Sequence, residues 1–266
     1  MGLTRVLVLG VVCGLLVACD RATAIDRPEA TPSTQPQPQT QPQPPSPLEA
    51  FQKNSVAVIA NYLRTNDIRK VQLGAGSSRL AGWLNTDIEP GGDGLAYLDA
   101  TKRFPFDDAS IHYIFSEHVI EHLTYDEGKA MIAEAYRVLV PGGKMRVSTP
   151  DLMQFIALFD DNLSAEARDY LDGKVRWHEW PKEPNAAAII LNLQMSSWGH
   201  KFMYDFATLS GALTRAGFVN PQQYEENVSN DPHLRDLEER DSGVTVRWSN
   251  YETMSLEVEK PRETTR

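Results

Sequence analysis

Small and acidic residues follow several short apolar runs of this chain, at points where strands of a sheet would end. Gly74-Ala75-Gly76 follows the first run, Asp87 the second and Asp99 the third, and Ser116-Glu117-His118 follows a fourth. Glycines let the backbone approach a ligand closely, and a carboxylate can accept hydrogen bonds from two sugar hydroxyls. Because ligands bind beyond the carboxyl ends of parallel strands, the four positions together indicate a binding site.

Each position also has a plainer interpretation. A lone Gly-x-Gly is more often a tight turn than a ligand loop, and an aspartate at a strand end is usually a turn former or a helix cap. Their order after four consecutive apolar runs is what favours a ligand site over unrelated turns.

The apolar pattern predicts strands alternating with helices from residue 48 onward. Thr124 and Glu127 have the spacing of a capping box, so a helix begins there and is ended by Pro141-Gly142-Gly143. Such alternation predicts an α/β fold with a doubly wound, mostly parallel sheet. The remaining predicted helices are 48–66 and 205–216, and the predicted strands are 70–73, 84–88, 94–98, 111–115, 144–149 and 251–258.

Two segments do not follow this alternation. The stretch 160–203 is too long for a simple connection, and we expect an irregular insertion over the site. Aromatic residues at its end suggest a packed flap, while His200 and Tyr204 are candidate general bases in a substrate pocket. The charged stretch 233–240 predicts a solvated helix.

Longer motifs extend the pattern of the four strand ends. Residues 71–76 read Val-Gln-Leu-Gly-Ala-Gly, 82–87 Gly-Trp-Leu-Asn-Thr-Asp, 115–122 Phe-Ser-Glu-His-Val-Ile-Glu-His, and 136–143 Tyr-Arg-Val-Leu-Val-Pro-Gly-Gly. In this order they resemble class I S-adenosylmethionine-dependent methyltransferases, in particular a type 11-like branch of small bacterial methyltransferases. The resemblance covers roughly residues 55–258 and implies the Rossmann-like fold of that class.

The resemblance also implies a cofactor and its contacts. Gly74, Ala75 and Gly76 would approach the methionine part of S-adenosylmethionine, Asp87 would hold the ribose hydroxyls and Asp99 the adenine edge. Ser116, Glu117 and His118 would line the transfer site, which makes His118 a further catalytic candidate.

The chain departs from the family pattern at two places. Only about ten residues separate the first two strands, where the family usually has a helix, and Gln72 and Leu73 stand where an acid is usual. A binding module derived from a methyltransferase, without catalysis, is therefore the alternative to an enzyme.

A rival motif overlaps the fourth strand end. His118-Val-Ile-Glu121-His122 matches the inverted zincin signature of zinc hydrolases. That chemistry needs both imidazoles on one continuous helix and a third ligand. Because the capping box starts the helix only after His122, we expect no metal site.

The first residues predict export and a lipid anchor. A charged start is followed by 13 almost wholly apolar residues, 6–18, which at ~1.5 Å per residue are too short to span a membrane. Residues 1–18 resemble a bacterial lipoprotein signal peptide, with Cys19 as the lipidated residue and Asp20 as a signal for the inner membrane. The alternative is a buried first helix.

Amino-acid composition predicts how the chain after the signal peptide is divided and which partners it has. Residues 19–47 are rich in Pro and Gln and predict a disordered linker, which leaves 48–266 as the methyltransferase-like domain. With a net charge of −10, nucleic acid is excluded as a partner. We expect a small-molecule or envelope substrate, although S-adenosylmethionine is made in the cytoplasm and the predicted location is the periplasmic side of the inner membrane.

Overall fold

The computed structural model describes residues 45–179, 186–238 and 244–262. The predicted signal peptide, Cys19 and all but the last residues of the predicted linker lie outside the described residues. Within these ranges, no helix combines the length and the apolar character needed to cross a membrane.

Seven strands form one sheet in the order β3-β2-β1-β4-β5-β7-β6. All neighbours run parallel except at β7, which is antiparallel to both β5 and β6. This confirms the predicted doubly wound, mostly parallel sheet. The strands are β1 Lys70–Leu73, β2 Leu84–Asp87, β3 Leu95–Tyr97, β4 Ile111–Glu117, β5 Leu139–Pro150, β6 Val219–Tyr224 and β7 Thr253–Glu259.

Helices cover the sheet, and sequence signals start the two clearest ones. The first helix begins with a capping box between Ser46 and Glu49 and the second with the predicted box between Thr124 and Glu127. The described helices are α1 Pro47–Thr65, α2 Tyr125–Val138, α3 Leu152–Ala157, α4 Ala165–Trp177, α5 Ala186–Ser196, α6 Phe206–Arg215 and α7 Val244–Glu252.

Contrary to the sequence prediction, the segment Pro141-Gly142-Gly143 is not a connection between α2 and the following strand. Instead β5 starts at Leu139 and runs through it. The pairing with β4 shifts register between Ile111 and Tyr113, and Gly142 has a φ of +80° and donates its N–H to the Lys260 carbonyl. The glycines thus lie at an irregularity of the pairing within one continuous strand, and they do not interrupt that strand.

The stretch 160–203 is not irregular where it is described. It contains α4 and α5, whose apolar residues pack with Phe155 and Trp248 in a second core cluster. The predicted strand 251–258 begins only at Thr253, because α7 occupies the residues before it.

The segment 233–238 is not a solvated helix, and residues 239–240 lie outside the described ranges. Leu234 and Leu237 are buried against Trp83 and Phe115. The segment therefore covers a face of the sheet beside the β1–β2 connection, which has no helix of its own.

Candidate cofactor and transfer site

The loop after β1 depends on two glycines. Gly74 and Gly76 have φ angles of +64° and +54°, in the region that favours glycine. A Cβ at Gly74 would overlap with the side chain of Val119, whereas a Cβ at Gly76 would have no atom within 4 Å. Gly74 therefore lets the ends of β1 and β4 pack closely, and Gly76 faces open space.

The Asp87 side chain joins this loop to β2. Its Oδ2 accepts a hydrogen bond from the Gly76 N–H at 2.8 Å, and its Oδ1 accepts one from the Glu89 N–H at 3.0 Å. Asp87 is therefore a turn former, as the plainer interpretation holds. Each carboxylate oxygen can accept a second hydrogen bond, so the side chain can also hold a ligand.

Asp99 lies two residues beyond β3 and forms a local turn. Its Oδ1 accepts hydrogen bonds from the Thr101 N–H at 2.8 Å and the Thr101 hydroxyl at 2.7 Å. Its position at the same edge of the sheet as Asp87 agrees with the sequence prediction, and the turn orients its carboxylate.

Two polar side-chain atoms of β1 and β4 are buried without a hydrogen-bond partner among the described residues. They are Oε1 of Gln72 and Oγ of Ser116, and in register Ser116 pairs with Leu73, the last residue of β1. Buried polar atoms without partners are costly and call for explanation. Together with the open space at Gly76 and the carboxylates of Asp87 and Asp99, these atoms fit a polar cofactor that carries a ribose.

His118 follows the last residue of β4, Glu117, in a strained conformation. Its φ is +50°, which costs a non-glycine residue about 1–2 kcal/mol, and its N–H donates to the Ser148 carbonyl at 2.9 Å. Such strain is found most often at functional sites.

The His118 ring lies between two side chains. Its Nδ1 is 2.7 Å from Oε1 of Glu121 and its Nε2 is 3.4 Å from Oγ1 of Thr253. Burial raises the pKa of Glu121, which has no exposed surface. The distance to Oε1 suits an ion pair, although the N–H direction does not complete a hydrogen bond.

The other two catalytic candidates lie apart from each other. His200 is half-buried beside Glu121, and its Nδ1 is 2.6 Å from the Gln194 carbonyl. Tyr204 is fully buried in the main core cluster, its hydroxyl has no partner among described residues, and burial raises its pKa to about 12. The structure thus brings both His118 and His200 next to Glu121 and places Tyr204 in the core.

Thr253 is a site residue that sequence reasoning did not find. It begins β7, far along the chain from His118, and no motif surrounds it. Only the antiparallel pairing of β7 with β5 brings it to this edge of the sheet.

A cavity of about 640 Å³ is lined by α4, by α7 and by the two residues that follow β6. Its lining includes Tyr170, Trp248, Tyr251 and Glu226. The pKa of Glu226 is raised to about 7, chiefly by burial and in part by the nearby charge of Glu117. Glu226 also interacts with Thr253, which lies beside His118, so this residue connects the cavity with the transfer candidates.

Residues 87–147 match a family model described as a methyltransferase domain. This stretch includes the strand-end residues Asp87, Asp99 and Ser116, together with Glu117 and His118. No curated protein sequence matches the chain.

Among solved structures, the chain is similar to several methyltransferases. An S-adenosylmethionine-dependent methyltransferase from Archaeoglobus fulgidus has 13% identity and a TM-score of 0.45, covering 80% of this chain and 97% of that one. One from Mesorhizobium loti has 16% identity and a TM-score of 0.44, covering 77% and 96%. A Haloferax volcanii methyltransferase, solved with the Trm112 methyltransferase activator, has 15% identity and a TM-score of 0.42, covering 80% and 93%.

Identities this low do not carry a function from one protein to another. The fold rests on the strand order and on the antiparallel β7 of the chain itself. The chain therefore has the Rossmann-like fold of class I methyltransferases, and its residues 87–147 match a methyltransferase domain. Together these findings imply S-adenosylmethionine as the cofactor.

Proposed function

We propose that this protein transfers a methyl group from S-adenosylmethionine to a small molecule or an envelope component. The observation that carries the proposal is the pairing of Asp87 with Gly76 beside open space, within a stretch that matches a methyltransferase domain. The acceptor pocket is the cavity that Glu226 connects with the transfer candidates.

Cofactor binding uses the strand ends of β1, β2 and β3. The unused lone pairs of the Asp87 carboxylate accept the ribose hydroxyls, and Asp99 accepts from the adenine edge. The loop between Gly74 and Gly76 lets the amino acid part of the cofactor lie against the backbone. Ser116 offers its buried hydroxyl at the end of β4.

The bound cofactor supplies an activated methyl group on a sulfonium, so the protein contributes mainly alignment. The nearby carboxylate of Glu121 favours a proton on Nδ1 of His118, so Nε2, 3.4 Å from the Thr253 hydroxyl, is the atom that can act as a base. His118 then takes the proton that the acceptor atom loses as the new bond to carbon forms. His200, which also lies next to Glu121, is the alternative base.

The lining of the cavity indicates the chemical class of the acceptor. Three aromatic rings, of Tyr170, Trp248 and Tyr251, surround it together with the carboxylate of Glu226. Lys174 already lies over the rings of Tyr170 and Trp248. The attraction for a cationic acceptor therefore comes from Glu226 and from the other carboxylates of the lining, Glu166 and Asp169. We therefore favour an acceptor that carries an amine.

We also propose that the protein works at the bacterial envelope, anchored by lipid on Cys19. Support comes from the charged start, the short apolar segment 6–18 and the Pro- and Gln-rich linker that follows. In a Gram-negative cell, Asp20 favours the inner membrane.

A calorimetric titration of the full-length chain with S-adenosylmethionine and with S-adenosylhomocysteine tests the function. We expect binding of one cofactor per chain, and methyl transfer to amine-bearing acceptors that His118→Ala abolishes while cofactor binding persists. Binding without transfer to any acceptor would instead match a non-catalytic module. If the wild-type chain binds neither compound, the proposal fails.

A further inference from the structure

Glu121 also forms part of a second cluster, with His122 and His200. One ligand atom each from Glu121, His122 and His200 lies within 4.8 Å of the others. We propose that these three side chains bind one divalent transition-metal ion of the zinc type. The proposal does not depend on methyl transfer.

These residues are not the ligand set of the zincin-like motif. Ile120–His122 is a single turn of 3₁₀ helix and α2 starts only at Tyr125, so His118 and His122 do not share one continuous helix. The structure instead brings in His200, from the segment between α5 and α6. The third ligand is therefore one that no local spacing could indicate.

Backbone hydrogen bonds hold the two segments together. The N–H groups of Lys201 and Phe202 both donate to the Glu121 carbonyl, at 2.7 and 3.2 Å. Gly199 has a φ of +83°, and a Cβ there would lie 3.6 Å from Nδ1 of His122. The approach of His200 to Glu121 and His122 is thus fixed by the main chain.

The donor atoms are arranged as metal ligands require. Nδ1 of His200 lies 2.6 Å from the Gln194 carbonyl, which can only accept, so Nδ1 carries the proton and Nε2 is free to bind a metal. Among the described residues, the ring nitrogens of His122 have no hydrogen-bond partner. His122 and His200 are both partly exposed, which gives an ion a path of entry.

Glu121 itself points to a cation. Its side chain is fully buried, and Thr149 donates to Oε2 at 3.1 Å. Oε1 lies 2.7 Å from Nδ1 of His118 but completes no hydrogen bond within the ranges described. A buried carboxylate needs compensating positive charge. A cation held by Glu121, His122 and His200 would supply it.

The types of the three ligands indicate which metal ion would bind. Two imidazoles and one carboxylate suit zinc and its neighbours, whereas calcium and magnesium prefer oxygen ligands alone. Zinc ligands at ~2.1 Å in a tetrahedron are about 3.4 Å apart, so the donor atoms, now within 4.8 Å of one another, have to close in by up to about 1.4 Å. A fourth position would remain for water or a ligand.

Zinc titration of the metal-stripped full-length chain tests the site, with no methyltransferase cofactor present. We expect one Zn²⁺ per chain with a Kd below about 1 μM, and a rise in Tm of about 5–10 °C at a hundredfold excess over Kd. His122→Asn and His200→Asn should each weaken binding at least about 100-fold, since even outer-sphere changes cost about 10- to 100-fold.

His233→Asn is the matched control, because His233 lies beside Tyr113 on another part of the sheet. It should bind zinc like the wild type, and circular dichroism should show all three variants folded. Absence of wild-type binding at 1:1 overturns the site, as does equal binding by all variants or a loss in only one of His122→Asn and His200→Asn. Cofactor titration is a separate measurement, so failure here leaves the proposed function unaffected.

Discussion

The carboxylate of Asp87 accepts a hydrogen bond from the backbone N–H of Gly76, which joins the ends of two neighbouring parallel strands. One side chain therefore shapes the glycine loop and faces the proposed ribose site. A structural and a binding role coincide in this residue, and a single variant can measure both.

Asp87→Ala should weaken S-adenosylmethionine binding by about 10- to 100-fold, because hydrogen bonds to a charged acceptor contribute about 1.5–3 kcal/mol each. It should also lower the free energy of unfolding by about 1 kcal/mol, since two backbone N–H groups lose their acceptor. Calorimetry and urea unfolding of the same protein measure the two effects. Asp93→Ala, on the exposed loop nearby, should change neither. Lower stability with unchanged affinity would leave Asp87 as a turn former alone.

The two glycines of the first loop should respond differently to alanine. Gly74→Ala should destabilise the protein by about 2–4 kcal/mol, because its Cβ overlaps with Val119 and its φ is positive. Gly76→Ala should cost about 1–2 kcal/mol of backbone strain alone, but its methyl group enters the proposed cofactor space and should weaken binding.

Thermal unfolding of the alanine variants, alone and with Val119→Ala, checks this assignment. The second substitution should recover part of the stability lost in Gly74→Ala and none of that lost in Gly76→Ala. Recovery in both or in neither would contradict the packing of Val119 on Gly74.

Glu226 should make stability depend on pH. Burial raises its pKa to about 7, with the charges of Glu238 and Glu117 adding to the effect. The folded state therefore binds a proton between about pH 4.5 and 7 that the unfolded chain releases, and this stabilisation disappears as pH rises through 7. Because the side chain is partly exposed, solvent screening reduces the effect to about 1 kcal/mol.

Urea unfolding at pH 5 and pH 8 measures this contribution. Glu226→Gln should match the wild type at pH 5 and exceed its stability by about 1 kcal/mol at pH 8. Glu225→Gln, at the exposed neighbouring residue, should follow the wild type at both values. A constant difference between Glu226→Gln and wild type would show that Glu226 titrates normally.

Lipidation of Cys19 predicts a specific labelling pattern. Cells fed a fatty-acid probe should label the wild-type protein, and Cys19→Ser should abolish the label and release the protein from the membrane fraction. Cys13→Ser, within the apolar segment, is the control and should still be labelled. Equal labelling of the wild type and Cys19→Ser would contradict the prediction that Cys19 carries the lipid anchor.

Much of the sheet could be predicted from the sequence because its signals are local. Apolar runs ended by Gly74, Asp87 and Asp99 defined the first three strands, and the Thr124 capping box located α2. The contacts of Glu121 could not be predicted in this way. Thr253 and His200 reach the site only through pairing and packing over long stretches of chain.

The error at residues 233–238 has the same origin. The segment is rich in charge and suggested a solvated helix, yet Leu234 and Leu237 are buried and Glu238 forms an ion pair with the buried Arg146 at 2.6 Å. A charged segment is exposed only if its charges find no partner in the core. Here Arg146 of β5 is such a partner, and the local sequence does not reveal it.

The use of residues 234–237 to cover Trp83 and Phe115 has a consequence for the order of folding. A helix between β1 and β2 would cover that face as soon as the second strand had been synthesised. Here the first half of the sheet keeps an uncovered apolar face until the ribosome has released residue 237. Such distant contacts slow folding and lengthen the time for which apolar surface is open to chaperones or export factors.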